Sequence, residues 1–178
     1  MKSKYVLLAS ALCISTMTFA QKDELKTLKK IFEKTEPSVS DVSDFKAALT
    51  KADALTTATD ADKTYFGFYK SVAPLVEILS KSAGKENPQV VAQLLNSSSI
   101  ESLVNNRFSI LALEKAAGKE ILTKNINDNA ASLKQTIVNY AIALHDKEQF
   151  LESAKILNSV YKLDPKDPEK LYYAANFA

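Results

Sequence analysis

In segment after segment this chain sets its apolar residues three and four positions apart, and nowhere does it alternate them convincingly with polar ones. Leu25, Leu28, Ile31 and Phe32 form one such set, and Phe45, Ala48, Leu49, Ala52 and Leu55 a second. Spacings of three and four gather side chains on one face of an α-helix, whereas a half-buried strand needs period two. The fold expected is therefore all-α. Three glycines, five prolines and no tryptophan in 178 residues, with 46% apolar residues, point the same way and away from a strand-rich sandwich.

The helices can be placed along the chain. One runs over residues 23–34 and stops before Pro37; the next starts at Asp41 or Asp44 and stops in "TTATDAD". A third, from near Asp62, carries Tyr65, Phe66, Tyr69, Val72, Leu75, Val76 and Leu79 toward Gly84. Pro74 lies in its interior and predicts a kink or break near Val72. Asn87 and Pro88 open a short helix through Leu95. Ser98 with Glu101 reads as a capping box for a helix bearing Leu103, Val104, Phe108, Leu111 and Leu113, closed at Gly118. A new pattern grows from about Leu122 and is strong at Leu133, Ile137, Tyr140, Ala141 and Leu144. Asp146 with Gln149 then caps a helix with Phe150, Ala154, Leu157 and Tyr161, and Asp167 with Pro168 starts a last one. Short connections make successive helices antiparallel neighbours.

The N-terminus has the layout of a secretory signal peptide over residues 1–20. Lys2 and Lys4 precede an uncharged apolar run, and Ala20 offers a small residue for a cut before Gln21. The run is too short for a comfortable membrane span, so no transmembrane segment is expected after cleavage. The only cysteine, Cys13, leaves with it, which excludes disulfides, thiolate metal sites and a cysteine nucleophile. Of 23 Lys+Arg and 21 Asp+Glu, loss of Lys2 and Lys4 leaves 21 against 21, a net charge of zero. The remaining lysines are interleaved with acids, so no basic patch argues for nucleic acid. The mature chain of 158 residues, 178 less 20, is one domain of ordinary size.

Residues 134–167 resemble a tetratricopeptide repeat, a 34-residue helix-turn-helix unit with bulky, Leu, Gly and Tyr places in its first helix and Ala, Phe and Pro places in its second. Ile137, Tyr140, Ala141 and Leu144 fill the first series with approximate size kept; Ser153, Leu157 and Pro165 fill the second. Small residues at Ala141 and Ser153 let the two helices approach. The phase opens a further unit at residues 168–178, where the bulky place falls on Leu171, and residues 22–130 read as degenerate repeats. The resemblance implies antiparallel helix pairs stacked as a right-handed α-α superhelix whose first helices line a groove for proteins or peptides. On this phasing Gln135, Val138, Ile142 and His145 are the candidate partner-binding residues. Val138 and Ile142 stand where some members carry a lysine and an asparagine that grip a terminal carboxylate, so that clamp is absent here. Their apolar character suits a hydrophobic or extended peptide, or equally burial by a neighbouring unit. The apolar "LYYAANFA" at the end, where repeat arrays finish with a polar helix, predicts a longer array.

No constellation for catalysis is found. His145 is the single histidine and reads either as a groove contact or as a solvated helix-end residue. With no mature cysteine and one histidine, zinc and the usual Ser/His or Cys/His nucleophile arrangements are not available. "NINDNA" lacks the glycine and the glutamate of a calcium loop. Asp60 with Asp62, and Asp164 with Asp167, sit where helix capping explains them. The sequence thus predicts a non-enzymatic exported scaffold without cofactor or metal, in the periplasm or outside the cell, that binds a protein or peptide. Its rivals are a structural, self-assembling envelope protein and an accessory domain of a longer enzyme.

Overall fold

The computed structural model describes residues 19–82 and 94–164, and among these it has seven α-helices and no strand. They are α1 (Phe19–Phe32), α2 (Val39–Asp53), α3 (Asp60–Ser82), α4 (Ser97–Ala117), α5 (Thr123–Asp128), α6 (Ala130–His145) and α7 (Phe150–Leu163). The all-α expectation holds for them. The Asn87–Pro88 helix start, Pro165, residues 168–178 and most of the expected signal segment lie outside the described residues. No helix among the described residues is long and apolar enough to cross a membrane.

Local chemistry sets the helix ends. Ser38 Oγ accepts from Asp41 N at 3.1 Å, and Asp41 Oδ2 accepts from Ser38 N at 2.8 Å, so α2 opens on a reciprocal capping box. Thr59 and Asp62 repeat the device at α3, the Asp62 carboxylate accepting from both Thr59 N and Thr59 Oγ1. At α4 the box is Asn96 with Ser99, not Ser98 with Glu101; in a run of three serines several caps are possible, and an asparagine oxygen is among the best acceptors at this place. Gly118 closes α4 at φ 61°, in the left-handed region, where a glycine escapes the Cβ clash.

Other expectations are corrected. α3 runs from Asp60 to Ser82 with Pro74 inside it, so of the kink or break expected near Val72 there is no break. The helix expected from about Leu122 is divided at Asn129 into α5 and α6. Asp146 is the C-terminal flank of α6 rather than a cap of α7, and Gln149 before α7 makes no side-chain cap. That turn is closed by the backbone, with Gln149 N donating to Leu144 O at 3.0 Å and Glu148 in a left-handed conformation at φ 60°. Phe108 and Phe150, expected to point inward, are 43% and 44% exposed.

Cross-helix ion pairs give the directions. Lys51 meets Glu24 and Lys34 meets Asp41, so α1 and α2 run antiparallel. Lys46 with Glu77 and Lys70 with Asp53 do the same for α2 and α3. Lys134 near the start of α6 meets Asp164 just past α7. Ser97 N donates to Glu152 and Lys162 pairs with Glu101, which lays α4 and α7 side by side in the same direction.

Two apolar cores result. One joins α1, α2, α3, α4 and α5 around Leu28, Phe45, Tyr69 and Ile110, where the rings of Phe32, Phe45, Phe68 and Tyr69 meet edge to face. The other joins the end of α3, through Ile78, with α4, α6 and α7 around Ile100, Val104, Ile137 and Ile156. Leu75 and Leu133 touch both. The small pair expected to bring α6 and α7 together does so: Ser153 and Ala141 are fully buried, and Ser153 Oγ donates to Ala141 O at 2.7 Å.

Candidate functional site

α3 and α4 form a base, with the α1–α2 hairpin docked on one side and the α6–α7 hairpin on the other. Between the hairpins lies an open groove of about 670 Å³. Ile31, Phe32 and the turn through Pro37 form one wall. Phe68, Val72, Leu75 and Val76 of α3 line it, and Asn129, Leu133, Thr136, Tyr140 and Ala143 form the other wall. The lining is mostly hydrocarbon, a surface that water leaves favourably when another apolar group replaces it.

α4 adds Leu103 and Arg107 to this lining. The buried face of α4 is Ile100, Leu103, Val104, Arg107, Ile110 and Glu114, so two charged residues stand at positions that the helical period assigns to the core. Their situations differ. Glu114, 1% exposed, accepts from Tyr65 Oη at 2.9 Å, Leu122 N at 2.9 Å, Thr123 N at 2.9 Å and Thr123 Oγ1 at 2.7 Å. Burial pushes its pKa up, but these donors outweigh burial and the carboxyl ends below its usual value. Tyr65 shifts the other way, raised first by burial and then by this carboxylate. Glu114 therefore ties α3, the end of α4 and the start of α5 together.

Arg107 is 9% exposed and its buried Nε has no hydrogen-bond partner. Among the described residues no oxygen accepts from its guanidinium; its Cζ lies 5.8 Å from the Phe108 ring centroid. Burial alone pulls its pKa down, with no carboxylate to offset it. It is also the only arginine in the chain. The reading of the sequence missed it, although one arginine on the apolar stripe of α4 was a visible signal.

The four residues expected to bind a partner lie on a different flank of α6. Gln135 and Ile142 are exposed, Ile142 at 48%, while Val138 and His145 are half-buried. Spaced three, four and three apart, they form one stripe. Gln135 donates to Asn139 Oδ1 at 2.8 Å, Val138 leans on the second core, and His145 packs edge-on against Phe150 with centroids 5.1 Å apart. None of the four lines the groove, whose α6 wall is the adjacent flank. No group of three or more His, Cys, Asp or Glu among the described residues could hold a metal ion.

No family model, no curated protein and no solved structure matches this chain.

Proposed function

We propose that this chain is a non-enzymatic helical interaction module of tetratricopeptide-repeat type, exported to the periplasm or the cell exterior, that recognises a protein or peptide partner. The partner meets the α6 stripe of Gln135, Val138, Ile142 and His145, which runs along α6 to the tip of the α6–α7 hairpin. The observation that carries this reading is the apolar surface there: Ile142, Phe150 and Leu151 are 48%, 44% and 62% exposed. Large apolar side chains gathered on one exposed tip mark an interaction site. The repeat assignment is supported by the six described positions that carry it, Ile137, Tyr140, Ala141, Leu144, Ser153 and Leu157, all of them buried. It is supported also by antiparallel pairing of α6 with α7 and the parallel run of α4 with α7.

The test is capture from a periplasmic extract with the parent protein and with Ile142→Glu. The reading expects a foreign protein that the variant loses while its helical melt stays unchanged. Recovery of the same proteins by both would contradict it. The same exposed residues favour a second reading, a self-assembling envelope protein. Light scattering separates the two: concentration-dependent growth abolished by Ile142→Glu, with no foreign protein recovered, would favour self-assembly.

A further inference from the structure

We propose that the groove between the two hairpins is a binding site for a single-chain aliphatic carboxylate, its head group on the Arg107 guanidinium and its hydrocarbon along the walls. This site is separate from the α6 stripe and does not depend on the partner proposed for it.

Three observations lead there. Of the 23 Lys and Arg residues all but one are lysine, and the exception is the residue held in the groove. A guanidinium is less strongly hydrated than an ammonium and presents a planar fork that matches a carboxylate with two parallel hydrogen bonds, so it is the better cation for a desolvated site. Second, Arg107 is 9% exposed and its Nε has no partner. A buried charge without a counter-charge is costly, and an incoming anion relieves that cost. The Phe108 face at 5.8 Å attracts the cation but takes none of its N–H groups. Third, the groove has the size of a small-molecule site, where the usual range is about 300–1,000 Å³.

The class of ligand follows from what surrounds the cation. Asn129, Thr136 and Asn139 put polar groups on the α6 wall, but Phe32, Phe68, Val72, Val76 and Leu133 offer carbon and no hydrogen bond. An extended peptide laid on them would bury amides without partners, whereas an aliphatic chain has none to satisfy. One buried cation calls for one negative charge. Of the rim cations, Lys34 is already on Asp41 at 2.6 Å and Lys147 is exposed to water; of the rim carboxylates, Glu33 is taken by Lys29 and Glu36 is exposed. A polyanion would need several cations converging at one depth. A monocarboxylate with an apolar body meets both conditions.

Calorimetric titration of the purified chain with dodecanoate, 1-dodecanol and dodecyltrimethylammonium, all below their micellar concentrations, tests this. Dodecanoate is expected to bind saturably, one molecule per chain. The alcohol and the ammonium should bind at least about 30-fold more weakly, the lower end for losing one member of a buried charge pair. Arg107→Met should abolish the preference for the carboxylate over the alcohol and, having removed an unpaired buried charge, should melt no lower than the parent. Thr136→Trp, which fills the α6 wall, should weaken dodecanoate and dodecanol together. Equal affinities for the three amphiphiles, or an unchanged preference in Arg107→Met, would overturn the proposal. So would dodecanoate binding that appears only after removal of residues 165–178, or at one molecule per two chains, since the groove would then belong to the protein's own tail or to a second copy.

Discussion

Glu114 is the residue whose loss should be felt most widely. Replacing it with alanine removes the acceptor for Leu122 N, Thr123 N, Thr123 Oγ1 and Tyr65 Oη at once. The two hydroxyls can turn toward water, because Tyr65 and Thr123 are half-buried, but Leu122 is 0% exposed. Its N–H is left without a partner, worth about 1–3 kcal/mol, and the lost bonds to a charged acceptor add a similar amount. A destabilisation of about 2–6 kcal/mol follows, which in a chain of this length lowers the melting temperature by about 4–24 °C. Glu114→Gln keeps the shape and one acceptor oxygen and should lose about 1–2 kcal/mol. The pH dependence has a definite sign. The folded carboxyl titrates below its ordinary value of 4.5, so the folded chain binds fewer protons than the unfolded one there. The stabilisation is complete above pH 4.5 and is lost as the pH falls through the folded value. Thermal melts followed by circular dichroism at pH 7 and across the acid range measure both effects. A melt of Glu114→Ala within about 2 °C of the parent, under about 1 kcal/mol on this scale, would refute the clamp. An acid limb unchanged in Glu114→Gln would refute the linkage.

Ser153→Leu should lower stability by about 1–3 kcal/mol, because Ser153 is fully buried against the Ala141 carbonyl and a larger side chain drives α6 and α7 apart; chemical denaturation reads it. Asn96→Ala removes the α4 cap and should lower stability by about 0.5–2 kcal/mol, while Ser98→Ala should do little, which distinguishes the observed cap from its neighbour. Asp41, held at about 2 by the hydrogen bond from Lys34 and then by those from Ser38, contributes stability above its ordinary value of 3.8 that fades toward pH 2; Lys34→Met should weaken that dependence in acid melts.

Helix content and much of the core were legible because burial follows a 3.6-residue period. Leu28, Ile31, Phe45, Ala48 and Ala52 repeat it cleanly and are all buried. α4 was misread because its period is interrupted by charges: Arg107 and Glu114 hold core places, so Phe108 seemed to continue the stripe although it faces outward. Pro74 suggested a kink or a break; the helix does not break, since a proline removes only one hydrogen bond and packing on both sides of it, through Val72 and Val76, holds the helix together. The α6 stripe could be named from spacing alone. The groove could not, since it is made by how two hairpins sit on α3 and α4, a relation between residues a hundred positions apart. What the sequence did display, without its meaning, was one arginine among lysines.

That arginine makes the most direct measurement simple. In a ¹⁵N-labelled chain the sole arginine gives a single Nε–H resonance, which reports the buried and unpartnered Nε of Arg107. Titration with dodecanoate should shift this resonance saturably and slow its exchange with water, while dodecanol leaves it in place. A resonance unmoved at saturating dodecanoate, or moved equally by the alcohol, would contradict a groove built around an unpaired cation.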